Sequence, residues 1–339
     1  MLPVEDRGPV GTPSPNRLRR LVAVGLASFL LKARPAAANE PEHPQRTGRI
    51  IVPFPAGGPT DGSARLIAAM LSTNAGRNFV VENIAGAGGA IGMKAGERAT
   101  PDGSTLTVGT LHTVVLSRQM QSPSPPPIDE SWAPIGLLSM LPHLLVVRAE
   151  LPAHTVAQLL ALARREPGRL SFGSAGEGST LHLAAALFSS RAQLELLHVP
   201  FLGTAPALQA VSGGHVDMMF CDLQTAAPAI RSGRARAIAI AEPRRLPSLP
   251  DVPTLAESGI DGADISGWNG LLAPARTPRD TVRRLDAEIA RLTGSDDYRL
   301  RVRESGSIPP PTGAEAFARL IAAEERRWAE ALRIAGIRR

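Results

Sequence analysis

Much of what would classify a 339-residue chain is scarce here. A single cysteine, Cys221, excludes an internal disulfide and any multi-cysteine metal site. Lysine occurs only at Lys32 and Lys94, so arginine supplies 35 of the 37 basic residues. Aromatic residues are 4% of the chain, and there is no Lys-rich run or basic stripe interleaved with aromatics. The formal charge of +6 therefore lacks the patterning of a nucleic-acid surface. The longest apolar run, Leu21–Leu31, has eleven residues, too few to span a bilayer. What the chain does have is 43% hydrophobic residues, 32 Gly and 31 Pro. That composition excludes an extended disordered protein and a coiled coil, and the length suits one to three compact domains, with two the natural reading.

Arg17, Arg19 and Arg20 precede the apolar run, and Lys32-Ala33-Arg34-Pro35-Ala36-Ala37-Ala38 follows it. This is the pattern of a secretory signal peptide over residues 1–38, with cleavage expected after Ala38. Arg19-Arg20 with Lys32 and Arg34 leaves a twin-arginine route beside the default Sec route. Six basic and two acidic residues fall in this segment, so only +2 remains on the exported, periplasmic chain.

From residue 49 the chain alternates. Arg49–Phe54 is a continuously apolar run ending in Pro and Gly, the pattern of a strand buried on both faces. Thr60 and Asp61 then cap an amphipathic run carrying Ala64, Ile67 and Leu71, which Gly76 should stop. Further strands are expected at 79–83, 105–109, 144–148, 170–173, 194–199, 216–220 and 235–240, with helices between most of them and at 281–292 and 314–334. The Pro-rich 122–127 segment reads as a surface loop, and Trp328 as lying on the apolar side of the last helix. Alternation of this kind predicts an α/β protein with largely parallel sheets.

Two Gly-rich loops stand before capped helices, Pro53–Asp61 and Gly173–His182. Glycines let a backbone approach a ligand with its N–H groups turned inward, and the helix N-terminus adds partial positive charge, which suits an anion. Enzyme motifs fail. Neither loop ends in Gly-Lys-Ser/Thr, Ile91 stands where a dinucleotide fingerprint needs its third glycine, and neither Ser174 nor Ser179 is centred in Gly-x-Ser-x-Gly. His182 and His198 lack a metal-ligand spacing, and His182 reads either as holding its loop or as facing the ligand. Asp217 reads as a surface or turn residue and Cys221 as packing, while Asp222 stands where a parallel strand delivers a side chain to a cleft.

Several segments match one family in order and spacing. They include Ile51–Gly58 with Thr60-Asp61, Val81-Glu82-Asn83 with Gly86–Gly89, and Pro101-Asp102-Gly103. Others are Gly173-Ser174 with Gly176, Gly178-Ser179 and His182, then His198-Val199-Pro200, Pro250–Thr254, Gly270–Pro274 and Arg327-Trp328 with Ala335-Gly336-Ile337. The chain thereby resembles the substrate-binding proteins of tripartite tricarboxylate transporters, the Bug-type extracytoplasmic solute receptors.

The resemblance implies a two-lobe periplasmic binding protein of type II, a Venus flytrap with a central mixed, mostly parallel sheet in each lobe. Lobe 1 would comprise 48–145 and 270–339 and lobe 2 146–269, with crossings near 142–148 and 265–273. It implies a monomer without cofactor, metal or catalytic residue that closes on a small organic mono- or dicarboxylate, aromatic acids included, and delivers it to membrane permease subunits. One wall would be Phe54, Pro55, Ala56, Gly57, Gly58 and Thr60, with Asp61 behind it. The other would be Ser174, Gly176, Gly178, Ser179 and Thr180, with His182. Phe201–Thr204 and Asp222 would shape selectivity. Where the family commonly has Tyr-Lys-Gly this chain has Phe201-Leu202-Gly203, and Leu223 stands where Asn is frequent, which leans the site toward a monocarboxylate or aromatic acid rather than citrate. A sensory receptor for a signalling partner is the alternative, and an exported hydrolase using Ser179 and His182 is a third reading, disfavoured because no orienting acid is evident.

Overall fold

The computed structural model describes residues 47–74, 78–121 and 127–334. The proposed signal peptide, the Gly76 helix stop, most of the Pro-rich loop and Ala335–Ile337 lie outside the described residues.

β1 (Gly48–Val52) leads through the first Gly-rich loop into α1 (Pro59–Asn74), whose Ala64, Ile67, Ala68 and Leu71 are all buried at helical spacing. β2 (Phe79–Asn83), α2 (Ala90–Glu97) and β3 (Thr105–Thr110) follow, then a π-helical turn at His112–Leu116. The 17-residue β4 (Trp132–Arg148) comes next, then α3 (Val156–Arg165), β5 (Ser171–Ser174) and α4 (Thr180–Ala192). After these come β6 (Leu197–Pro200), α5 (Thr204–Ser212), β7 (Met218–Asp222), α6 (Leu223–Arg231) and β8 (Ala235–Ile240). β9 (Ser266–Pro274), α7 (Arg279–Gly294), α8 (Asp296–Glu304) and α9 (Ala314–Ile334) complete the chain.

The strands form two mixed sheets that share β4. Its first part, Trp132–Pro142, pairs antiparallel with β9 beside parallel β1, β2 and β3. From His143 onward it pairs antiparallel with β7 and β8, beside parallel β5 and β6. In each sheet four strands run one way and one runs against them: β9 in the first, β4 in the second. Pro142 stands at the change of partner, where its missing N–H leaves no donor to satisfy.

Each sheet has its own core. Ile50, Val52, Leu106 and Val108 pack with Ile289 and Tyr298 on the first, where Tyr298 donates its hydroxyl to the Leu138 carbonyl at 2.9 Å. Leu144–Val147, Phe172, Phe188 and Met218–Phe220 pack on the second. α9 lies against β4, the His112–Leu116 turn and α4, burying Phe317 and Trp328. Asp217 is more than a surface or turn residue. Its carboxylate accepts from Arg148 at 2.9 Å and from the Ser171 N–H and hydroxyl at 2.9 and 3.0 Å, clamping β4, β5 and β7 together.

Candidate functional site

The first loop grows from the end of β1. The chain turns through Gly57, whose φ of 91° favours glycine. Asp61, in the first turn of α1, organises it. Its Oδ2 accepts the Gly57 N–H at 3.0 Å and the Arg65 Nε–H at 2.9 Å, and its Oδ1 accepts from Asn83 Nδ2 at 3.0 Å. Asn83 also donates to the Phe54 carbonyl at 3.1 Å, so the end of β2 ties down both sides of the loop. Burial works to raise the Asp61 pKa, but the bonds from Arg65, Gly57 and Asn83 outweigh it and hold the carboxyl below its ordinary value. Thr60 donates its hydroxyl to Asn269 Oδ1 at 3.1 Å, and the fully buried Asn269 donates in turn to Ser63 and Ser139. The mouth of α1 is thereby fixed against β9 and β4.

The second loop is held from within. Ser174, fully buried, lies 2.7 Å from His198 Nε2, and its hydroxyl oxygen accepts the Gly176 N–H at 3.1 Å. Ser179 caps α4 by accepting the His182 N–H, and His182 Nδ1 accepts the Gly178 N–H at 3.1 Å. The rings of His182 and His198 stack with centroids 3.9 Å apart and 9° between planes, and Phe172 stacks on His198 at 4.8 Å. Burial, then the neighbouring His198, push the His182 pKa down to about 4, with Glu177 opposing; burial lowers that of His198 too. Both rings are therefore neutral at pH 7. Gly178 has φ 71°, and a Cβ there would meet the Met120 sulfur at 2.6 Å.

Between the loops lies a cavity of about 760 Å³. First-turn residues of four helices reach it: Thr60 of α1, Thr180 of α4, Thr204 of α5 and Thr225 of α6. Each helix N-terminus carries N–H groups without an intrahelical acceptor and a partial positive charge. The strand ends contribute Thr110 from β3, Leu141 and His143 from β4, Asp222 from β7, and Gly267 and Trp268 from β9. Its ionisable residues are Asp61, Asp222, His112 and His143, and no Arg or Lys is among the described residues that line it. Burial lowers the pKa of both histidines, although Asp222 opposes this at His143. Asp222 itself caps α6, its Oδ1 accepting the Thr225 N–H at 2.8 Å.

The family model described as tripartite tricarboxylate transporter family receptor, TctC, matches residues 63–337. The chain belongs to this family. It is 38% identical over 311 residues to the UPF0065 protein in the tcbD-tcbE intergenic region of Pseudomonas sp. strain P51, covering 91% of this chain and 92% of the relative. Among solved structures it is similar to R. palustris Rpa4515 with adipate (TM-score 0.80, 33% identity, 87% of this chain and 99% of that one). MatC (Rpa3494) from Rhodopseudomonas palustris with bound malate gives a TM-score of 0.75 at 34% identity, over 85% and 99%. The receptor thus has the two-lobe fold of the solute-binding proteins.

Of the residues singled out in the sequence, Phe54 through Gly58, Thr60, Asp61, Thr180, Thr204 and Asp222 line the receptor's cavity. Ser174, Gly176, Gly178, Ser179, His182 and Phe201 do not. The reason is local. Ser174, Ser179 and His182 use their polar atoms on each other's loop, and Met120 covers Gly178. His182 Nδ1 holds the loop by accepting the Gly178 N–H. Gly57 and Asp61 reach the cavity but also bond to each other, so the N–H that seemed the natural anion donor is already taken by a carboxylate. His112, His143, Leu141 and Trp268 were missed. Nothing in their local sequence marks them, because they become neighbours only where β3, β4 and β9 converge. Two of them carry buried nitrogens without a hydrogen-bond partner, His112 Nδ1 and Trp268 Nε1.

Proposed function

We propose that this protein is a non-enzymatic periplasmic receptor that captures a small organic carboxylate between lobes comprising residues 48–145 with 270–339 and residues 146–269, and hands it to tripartite-type permease subunits. The observation that carries the reading is the convergence of four helix N-termini on one cavity with no lysine or arginine among its described lining residues. Such a site meets an anion with oriented N–H groups rather than with a salt bridge. The relatives crystallised with adipate and with malate support a carboxylate as the ligand. Export by the 1–38 signal peptide, through the Sec route, fits the absence, among the described residues, of any helix long and apolar enough to cross a membrane. Closure is a hinge movement in which each lobe supplies part of the lining.

The test is a thermal-shift screen of the mature chain against mono-, di- and tricarboxylates. A bound acid at 100 times its dissociation constant adds about 2.7 kcal/mol and raises the melting temperature accordingly. No shift with any acid class overturns the reading.

A further inference from the structure

The charges around the cavity restrict what kind of carboxylate fits. Asp61 is matched by Arg65 at 2.9 Å, and Asp222 sits on the N-terminus of α6 with the Thr225 N–H at 2.8 Å. One of the four helix ends is therefore already satisfied by the protein's own carboxylate. The ends of α1, α4 and α5 remain for a ligand, each worth about half an elementary charge. They can balance one carboxylate. A second would have to sit in the same cavity as Asp222, with no lysine or arginine among the described lining residues to receive it.

The lining of the cavity also has an apolar part. Leu202 is fully exposed, the most exposed of the large hydrophobic side chains, and it lines the cavity mouth just before α5 with Ala205 and Pro206. Phe54, Pro55 and Leu141 line the same cavity from the other sheet's elements. A leucine held wholly in water gains free energy only when something apolar covers it, and a ligand's far end brought under it by closure would do so.

We propose that the ligand is a monocarboxylate with an uncharged, apolar far end, and that Leu202 and Asp222 set this preference. The proposal rests on the carboxylate reading above and narrows it. It separates this chain from R. palustris Rpa4515, whose structure holds the dicarboxylate adipate.

Calorimetric titration of the mature protein with hexanoate, phenylacetate, adipate and citrate tests it. Hexanoate and adipate share one chain length and differ only in the far carboxylate. The expected result is that hexanoate or phenylacetate binds at least about tenfold tighter than adipate, a difference of about 1.4 kcal/mol. Leu202→Lys, a change at a fully exposed position, should reduce that ratio by about tenfold, and Asp222→Asn should also reduce it. Adipate binding as tightly as either monocarboxylate overturns the proposal, and an unchanged ratio in Leu202→Lys overturns the role of that residue. If adipate or citrate binds and no monocarboxylate does, this proposal fails and the carboxylate receptor stands. If no acid of any class binds, both fail.

Discussion

Asp61 shows how one side chain converts a flexible loop into a fixed wall. Three donors from three places, the Gly57 backbone, Arg65 and Asn83, converge on its two oxygens. Only 4% of Asp61 is exposed, so removing the carboxylate takes away the shared acceptor of the half-buried Asn83 amide, the Gly57 N–H and Arg65. Asp61→Ala should cost about 1–3 kcal/mol in urea unfolding and weaken ligand binding by loosening the loop. Arg65→Ala should cost less than Asp61→Ala in the same measurement, because the Arg65 side chain is 55% exposed and its ion pair is screened. The sequence placed Asp61 at the start of a helix, since a helix-start pattern after Gly-Gly-Pro-Thr is readable by position. It could not show that the carboxylate points back at Gly57, because that depends on Asn83 arriving from β2, 22 residues on.

At the scale of elements, the βα units were legible and the crossover strands were not. β1, β2, β3, β5, β7 and β8 announce themselves as short runs between turn signals, and in β1, β3 and β7 nearly every residue is buried, which leaves little room for charge. The first part of β4 carries Pro134, Gly136 and Pro142, breakers that hide a strand, while β9 carries Ser266, Gly267, Asn269 and Gly270. Their extended conformation is imposed by pairing with each other and with β3. β6 begins at Leu197 rather than near 194, since Leu194 still donates its N–H to Ser189 at the end of α4. The loop after β5 has a pH response written into it. The folded pKa of His182 lies near 4, below its ordinary value of 6.5, so stability is full above about 6.5 and is lost as pH falls toward 4. His112, His143 and His198 shift in the same direction and add to the slope. In His182→Asn, the amide oxygen can replace Nδ1 as acceptor for Gly178 without titrating. Melting temperatures measured between about pH 4 and pH 7 should therefore fall less steeply in the variant than in the wild type.

For the whole molecule the junction of the two sheets matters most. Glu242 is buried there, accepting a hydrogen bond from the Ser266 hydroxyl at the start of β9, next to the Ala241 N–H that donates to the His143 carbonyl. Burial pushes its pKa up to about 8, with Asp264 adding to the rise and Ser266, His143 and Arg327 opposing it. Because the folded value exceeds the ordinary 4.5, its contribution is complete below about pH 4.5 and is lost as pH rises through about 8. Glu242→Gln keeps an acceptor for Ser266 and cannot ionise. It should match the wild type near pH 4 and melt at a higher temperature near pH 9; equal melting at pH 9 would show that Glu242 does not ionise at the junction.

β4 is a single unbroken strand that two sheets read at once, with Leu141 and His143 on the cavity between them. Away from its register shifts at Pro134/Gly136, Leu137/Ser139 and Leu145/Val146, adding or deleting one residue in it would slip the pairing in one sheet or the other, and a slip of one turns core side chains outward. Length changes among related chains should therefore collect in the connections, such as residues 242–265 between β8 and β9, and be absent from 132–148. The strand that belongs to both sheets is the segment least able to change its length.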